Sequence, residues 1–147
     1  NPQATRPWQH VLEPLSGYLH LGWYLSQNNK LHGESYNFGP RAEQNHTVED
    51  LLKDLSKKWG HKNFSEAYLV IEDRPFHEAS LLKLNCDKSL FDLKWIAAMN
   101  YLETVGMVAD WYSKYYKHNS NMFACTIKQI EDYEILAQKG KIVWSQN

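Results

Sequence analysis

Apolar residues recur at helical spacing over several stretches of this chain. After Pro14 the residues Leu15, Tyr18, Leu19, Gly22 and Leu25 form a stripe, with the proline in the first turn, where its missing N–H is no loss. Gln27-Asn28-Asn29-Lys30 ends that helix. Thr47 opens a second one: Val48, Leu51, Leu52, Leu55 and Trp59 share a face, Asp50 stands in the first turn and Gly60 marks the exit. A brief helical turn runs from Asp87 through Leu90 and Leu93 to Trp95. From Met99 to Tyr116 the set Leu102, Val105, Val108, Ala109, Trp111, Tyr112 and Tyr115 predicts a long amphipathic helix. A last helix is expected over 122–138, with Ile127, Ile130, Tyr133 and Ala137 inward and Gly140 closing it.

Between these lie shorter, β-prone runs. Arg6-Pro7-Trp8-Gln9-His10-Val11 reads as a short strand that presents an arginine and feeds the first helix. Ser35-Tyr36-Asn37-Phe38 is stopped by Gly39-Pro40, Ala67-Tyr68-Leu69-Val70-Ile71 is continuous enough to predict a buried strand, and Leu81-Leu82-Lys83-Leu84 suggests another. The fold class is therefore a helix-rich α/β domain of four to five helices and a few short strands. With 147 residues, no repeat and no low-complexity linker, one domain spanning 1–147 is expected.

Composition narrows the partners. A formal net charge of −1 disfavours nucleic acid, which calls for a basic face. No apolar run reaches the roughly 20 residues of a membrane helix, and no charged, apolar leader opens the chain. Cys86 and Cys125 are two distant cysteines in a chain large enough to need no staple, so both are expected as reduced thiols in a cytoplasmic setting. The 6 Trp and 9 Tyr are rich enough to fill a small core or to offer a stacking platform for a sugar.

Several chemistries lack their residues. None of the 7 glycines forms the clustered strand-to-helix turn that receives a dinucleotide pyrophosphate. No tyrosine has a lysine four residues on. His77-Glu78 would need a second His at position 81, which is leucine, to resemble a zinc-protease helix, and the Cys and His spacings close no zinc site. No Gly-x-Ser-x-Gly elbow is present. No catalytic residue and no metal ligand is expected in this chain.

What remains is suited to binding. Arg6, just before the strand-to-helix transition, can meet phosphate oxygens through two parallel hydrogen bonds; its commoner use is as a solvated surface arginine. Gln9 and His10 have the same two readings. His77 and Glu78 can hold a polyol or phosphate, or cap a turn, and Arg74 adds positive charge near them.

The motifs carry a resemblance. Arg6-Pro7-Trp8-Gln9-His10-Val11 and the residues to Leu19, Asn37-Phe38-Gly39-Pro40, Thr47-Val48 with Trp59-Gly60, His77-Glu78-Ala79, and Leu82-Lys83-Leu84-Asn85-Cys86-Asp87-Lys88 are similar to the CDP-glucose 4,6-dehydratases, extended short-chain dehydrogenases, over essentially the whole chain. Departures are Lys94 where that family has Gly, Ala97 where Pro is usual, Phe76 where Pro is common, and Asn85 and Asp87 for Asp and Ser. Arg74 is not a fixed feature of the family.

The resemblance implies the C-terminal, substrate-binding part of a lyase that converts CDP-glucose to CDP-4-keto-6-deoxyglucose in deoxysugar biosynthesis. It implies NAD in the parent enzyme, held by an N-terminal Rossmann half outside this chain, and no cofactor for this chain alone. Arg6 would hold the diphosphate, with His77 and Glu78 near the nucleotide and lesser roles for Gln9, His10, Asn37 and Arg74. The implied partners are a CDP-sugar, the Rossmann half and further copies in a homo-oligomer. Half of another nucleotide-sugar epimerase, or a non-enzymatic nucleotide-sugar-binding module, stays open as an alternative.

Overall fold

In a computed structural model the described residues are 1–71, 79–117 and 120–146. Five α-helices carry the fold: α1 (Leu12–Gln27), α2 (Val48–Trp59), α3 (Asp87–Leu93), α4 (Tyr101–Lys117) and α5 (Met122–Lys139). The helix-rich class is as expected. α2 packs on α4 and α4 on α5, while α1 meets α3.

α2 forms as its sequence requires. Thr47 Oγ1 accepts the Asp50 N–H at 3.0 Å and the Asp50 carboxylate accepts the Thr47 N–H at 3.0 Å, a reciprocal cap. Gly60 ends the helix at φ 87°, in the left-handed region that lacks a penalty for glycine alone. α5 is entered through Asn121, whose side chain accepts from Ala124 N–H at 3.1 Å. Gly140 closes it as expected, in a right-handed conformation, and Lys141 takes the positive φ of 53°.

The expected strands do not form among the described residues. Thr5 alone bridges, to Thr47 on one side and Leu81 on the other. Residues 35–38 are extended without a ladder, and Ala67–Ile71 is neither strand nor buried, with Leu69 83% exposed. An apolar run becomes a buried strand only where neighbouring strands take its N–H and C=O groups. No such neighbour is present here among the described residues.

α1 departs further. Of the predicted stripe, Leu15, Tyr18, Leu19 and Gly22 are exposed, Leu19 by 77%, and Leu25 is half-buried; Trp23 beside them is exposed too. Glu13, Gly17 and His20 are the residues buried instead. Gly17 is needed there, since a Cβ would stand 2.4 Å from the Phe38 ring. Phe38, Leu93, Trp95 and Ala97 form the core beneath it, with Phe38 edge-on to Trp95 at 5.0 Å between centroids. Leu102, Tyr112, Tyr115 and Ile127 of the two long helices are likewise exposed, and Thr104, Cys125 and Gln129 are buried in their place.

Candidate functional site

The N-terminal arm is fixed from both sides. Val48 N–H donates to Ala4 C=O at 2.9 Å, and Thr5 exchanges backbone bonds with the 80–82 segment, giving its N–H to Ser80 C=O at 2.8 Å and taking Leu82 N–H at 3.3 Å. Arg6 follows directly. Its Nη1 donates to Thr5 C=O at 2.7 Å and to Ala79 C=O at 3.0 Å, so the guanidinium ties the arm to the segment that follows it in space. Trp8 Nε1 donates to His46 C=O at 2.9 Å and Gln9 Nε2 to Phe38 C=O at 3.1 Å.

Arg6 and Pro40 line a small crevice of about 10 Å³ beside the Asn37-Phe38-Gly39-Pro40 turn. The main chamber, about 510 Å³, lies between the 39–43 loop, the 83–87 segment and Trp95-Ile96-Ala97. The turn approaches its opposite wall closely: a Cβ on Gly39 would meet Leu84 Cδ1 at 2.9 Å and Cys86 Sγ at 3.2 Å. That contact explains the glycine. Asn37 Nδ2 donates to Asn85 C=O at 3.1 Å, and Ser89 Oγ donates to Asn37 C=O, so the asparagine holds the two walls in register. The Cys86 thiol, half-buried here, is pushed up by burial, with the Gly39 backbone hydrogen bond opposing that push.

The structure thus gathers Arg6, Gln9 and Asn37 around one turn. His10 lies apart from them. It is buried, its Nδ1 accepts Leu12 N–H at 3.3 Å, and it lines a separate apolar pocket with Val108, Trp111 and Tyr112. Burial lowers its pKa, which suits a neutral ring accepting a helix N–H. That bond meets one of the first N–H groups of α1. Arg74, His77 and Glu78 lie outside the described residues.

Two features escaped the sequence reading. The first is Glu13, 1% exposed, whose carboxylate accepts Met99 N–H at 2.7 Å, Ala98 N–H at 3.0 Å and the Tyr133 hydroxyl at 2.9 Å. Burial raises its pKa, and these donors together with the charge of Arg41 work against the rise. Trp95 Nε1 reaches Ser16 Oγ at 3.1 Å from the same region. Glu13 therefore anchors the 95–99 wall of the chamber to α1 and α5. A glutamate in a helical first turn carries no sequence signal of this burial. The second feature is the pair Arg41 and Lys83, which line both the chamber and the small crevice beside it. Both stand beside motif residues, Arg41 directly after Gly39-Pro40 and Lys83 within Leu82-Lys83-Leu84.

No protein-family model matches the chain. Over 133 residues, 90% of its length, it is 36% identical to CDP-glucose 4,6-dehydratase of Salmonella typhimurium strain LT2. The chain is a relative of that enzyme. It spans 36% of the enzyme's length, so about two thirds of the longer protein has no counterpart in these residues. No helix among the described residues is long and apolar enough to cross a membrane.

Proposed function

We propose that this chain is the C-terminal, nucleotide-sugar-binding part of a CDP-glucose 4,6-dehydratase, binding CDP-glucose in the chamber beside Gly39. The observation that carries the reading is the 36% identity to such an enzyme across 90% of the chain. The approach of Arg6, Gln9 and Asn37 to the turn beside that chamber supports it. Arg6 would assist the diphosphate; Arg74, His77 and Glu78 are proposed as further binding residues.

The chemistry would belong elsewhere in the protein. In such an enzyme NAD takes up and returns the hydride. The helices described here offer it no fit: α2 is entered through Thr47 and α5 through Asn121, and no glycine cluster opens a helix to a pyrophosphate. The NAD site and the acid–base groups are therefore proposed to lie in the two thirds of a longer protein outside this chain. That part would cover the apolar residues Leu15, Tyr18, Leu19 and Trp23 of α1, which stand exposed. Homo-oligomerisation and a cytoplasmic location accompany the reading.

Titration of the chain with CDP-glucose, UDP-glucose and dTDP-glucose tests it. Saturable binding that prefers the CDP-sugar is expected. Binding of all three with equal affinity would point to another nucleotide-sugar enzyme, and binding of none would remove the nucleotide-sugar reading.

A further inference from the structure

The pocket beside His10 shares no lining residue with the Gly39 chamber. It encloses about 380 Å³ between His10 at the entry to α1, Val108 and Trp111 of α4, and Gln129 and Ile130 of α5. Its described lining includes no carboxylate, lysine or arginine. Apolar and aromatic walls with a few fixed polar groups are the usual make-up of a small-molecule site.

The walls are held in place. Trp111 Nε1 donates to Thr126 Oγ1 at 3.0 Å, and that hydroxyl donates to Met122 C=O at 2.8 Å, so both groups are already used. Tyr115 stacks on the Trp111 indole at 5.5 Å between centroids. Two other side chains of the wall keep an unused polar atom. His10 is 7% exposed, and because its Nδ1 accepts Leu12 N–H, the ring proton sits on Nε2, which has no protein partner among the described residues. Gln129 is 8% exposed; its Nε2 donates to Met107 C=O at 2.8 Å, and its Oε1 has no partner among the same residues. The wall thus carries one N–H donor and one C=O acceptor, each on a side chain more than nine-tenths buried. Such groups are costly to leave unmet, and a ligand that supplies their partners removes that cost.

We propose that this pocket binds a small uncharged aromatic lactam or amide, its ring against Trp111 and Ile130, its carbonyl accepting from His10 Nε2 and its N–H donating to Gln129 Oε1. The class follows from the wall. A charged ligand would meet no counter-ion there, and a hydrocarbon would leave both polar atoms without partners. A flat ring suits the aromatic side of the pocket. This site is separate from the proposed nucleotide-sugar site and does not depend on it.

Calorimetric titration with carbostyril, a bicyclic lactam, tests the site beside coumarin, which has the same frame without the N–H, and naphthoate, which is charged. Saturable carbostyril binding is expected, with coumarin weaker by about three- to tenfold and naphthoate not binding. Ile130→Trp fills the pocket and should weaken carbostyril by about tenfold or more, while Gln129→Leu should bring it to the level of coumarin. Melting curves of the variants are read alongside; if Ile130→Trp does not fold, Tyr112→Ala at an exposed position of the lining should weaken carbostyril in its place. Absence of saturable carbostyril binding, equal binding of carbostyril and coumarin, or unchanged binding by a folded Ile130→Trp would overturn the proposal. Displacement of carbostyril by CDP-glucose would also overturn it, by making this wall part of the nucleotide-sugar site. CDP-glucose binding by a chain that does not bind carbostyril leaves the proposed function standing.

Discussion

Helices α1 and α2 share an amphipathic sequence and put it to opposite uses. α2 turns Val48, Leu51, Leu52, Leu55 and Trp59 toward α4 and the neighbouring segments, leaving each half-buried. α1 buries Glu13, Gly17 and His20 and leaves Leu15, Tyr18, Leu19 and Trp23 exposed. The difference lies in what the inward side chains do. In α2 they remove apolar surface from water. In α1, beside the packing of Leu21 and Tyr24 on the core, they make specific bonds: Glu13 to two backbone N–H groups, Ser16 to Trp95 Nε1, and His20 Nε2 to Leu93 C=O at 2.8 Å. A helix fastened in part by polar side chains leaves apolar ones exposed. The enzyme the chain resembles is about two and a half times as long, and under the proposed function the remainder covers that face.

The comparison breaks most severely at Glu13. Glu13→Ala would strand two buried N–H donors and the Tyr133 hydroxyl, and should cost about 3–5 kcal/mol of stability, measurable by denaturant unfolding. The group also has a pH signature. Its pKa is raised in the fold, so its contribution to stability is complete below the ordinary carboxylate value and is lost as pH rises through the raised one. The stability difference between the unaltered chain and Glu13→Gln should shrink over that rise; a difference that grows would reverse the assignment.

Next in size is Gly17→Ala. The added methyl meets the Phe38 ring at 2.4 Å, and the overpacking should cost about 1–3 kcal/mol despite the better helix propensity of alanine. The same exchange at Gly22, where a Cβ meets nothing within 4 Å, should stabilise by a few tenths to about 1 kcal/mol. Opposite signs at two glycines of one helix would confirm which side of α1 is packed.

On α2 the effects are smaller and local. Thr47→Ala removes one half of the reciprocal cap and should cost about 1 kcal/mol. Smallest is Lys94→Gly. Lys94 closes α3 at φ 56° and ψ 24°, where a side chain is strained, and the gain should be about 0.5–1 kcal/mol, offset by loss of the Lys94 Nζ bond to Phe91 C=O at 2.8 Å. Melting temperatures of the two variants should move in opposite directions.

Local signals in the chain were legible where local physics decides the outcome. Thr47, Asp50 and Gly60 bound α2 because caps act within one turn. Lys94, where the resembled family has glycine, falls on a left-handed residue. The facing of α1 was not legible, because Leu15 and Leu19 mark an apolar stripe without saying which body buries it. Residues 35–38 and 67–71 show the same limit, since β-prone residues need partner strands that sequence pattern does not supply. Arg6, Gln9 and Asn37 meet at one turn through motif positions, whereas Arg41 and Lys83 are exposed cations without periodicity, and only the fold brings them to one rim.

The central claim, which rests on the proposed function, is that Leu15 and Leu19 of α1 are covered by the rest of a longer protein and add little to the stability of this domain. Leu15→Lys/Leu19→Lys tests it, with a hydrophobic dye and thermal unfolding read on the same samples. The account predicts strong dye binding by the unaltered chain, loss of most of that signal in the double variant, and stability changed by no more than about 0.5 kcal/mol per site. A double variant that unfolds would place Leu15 and Leu19 in the core and contradict the account.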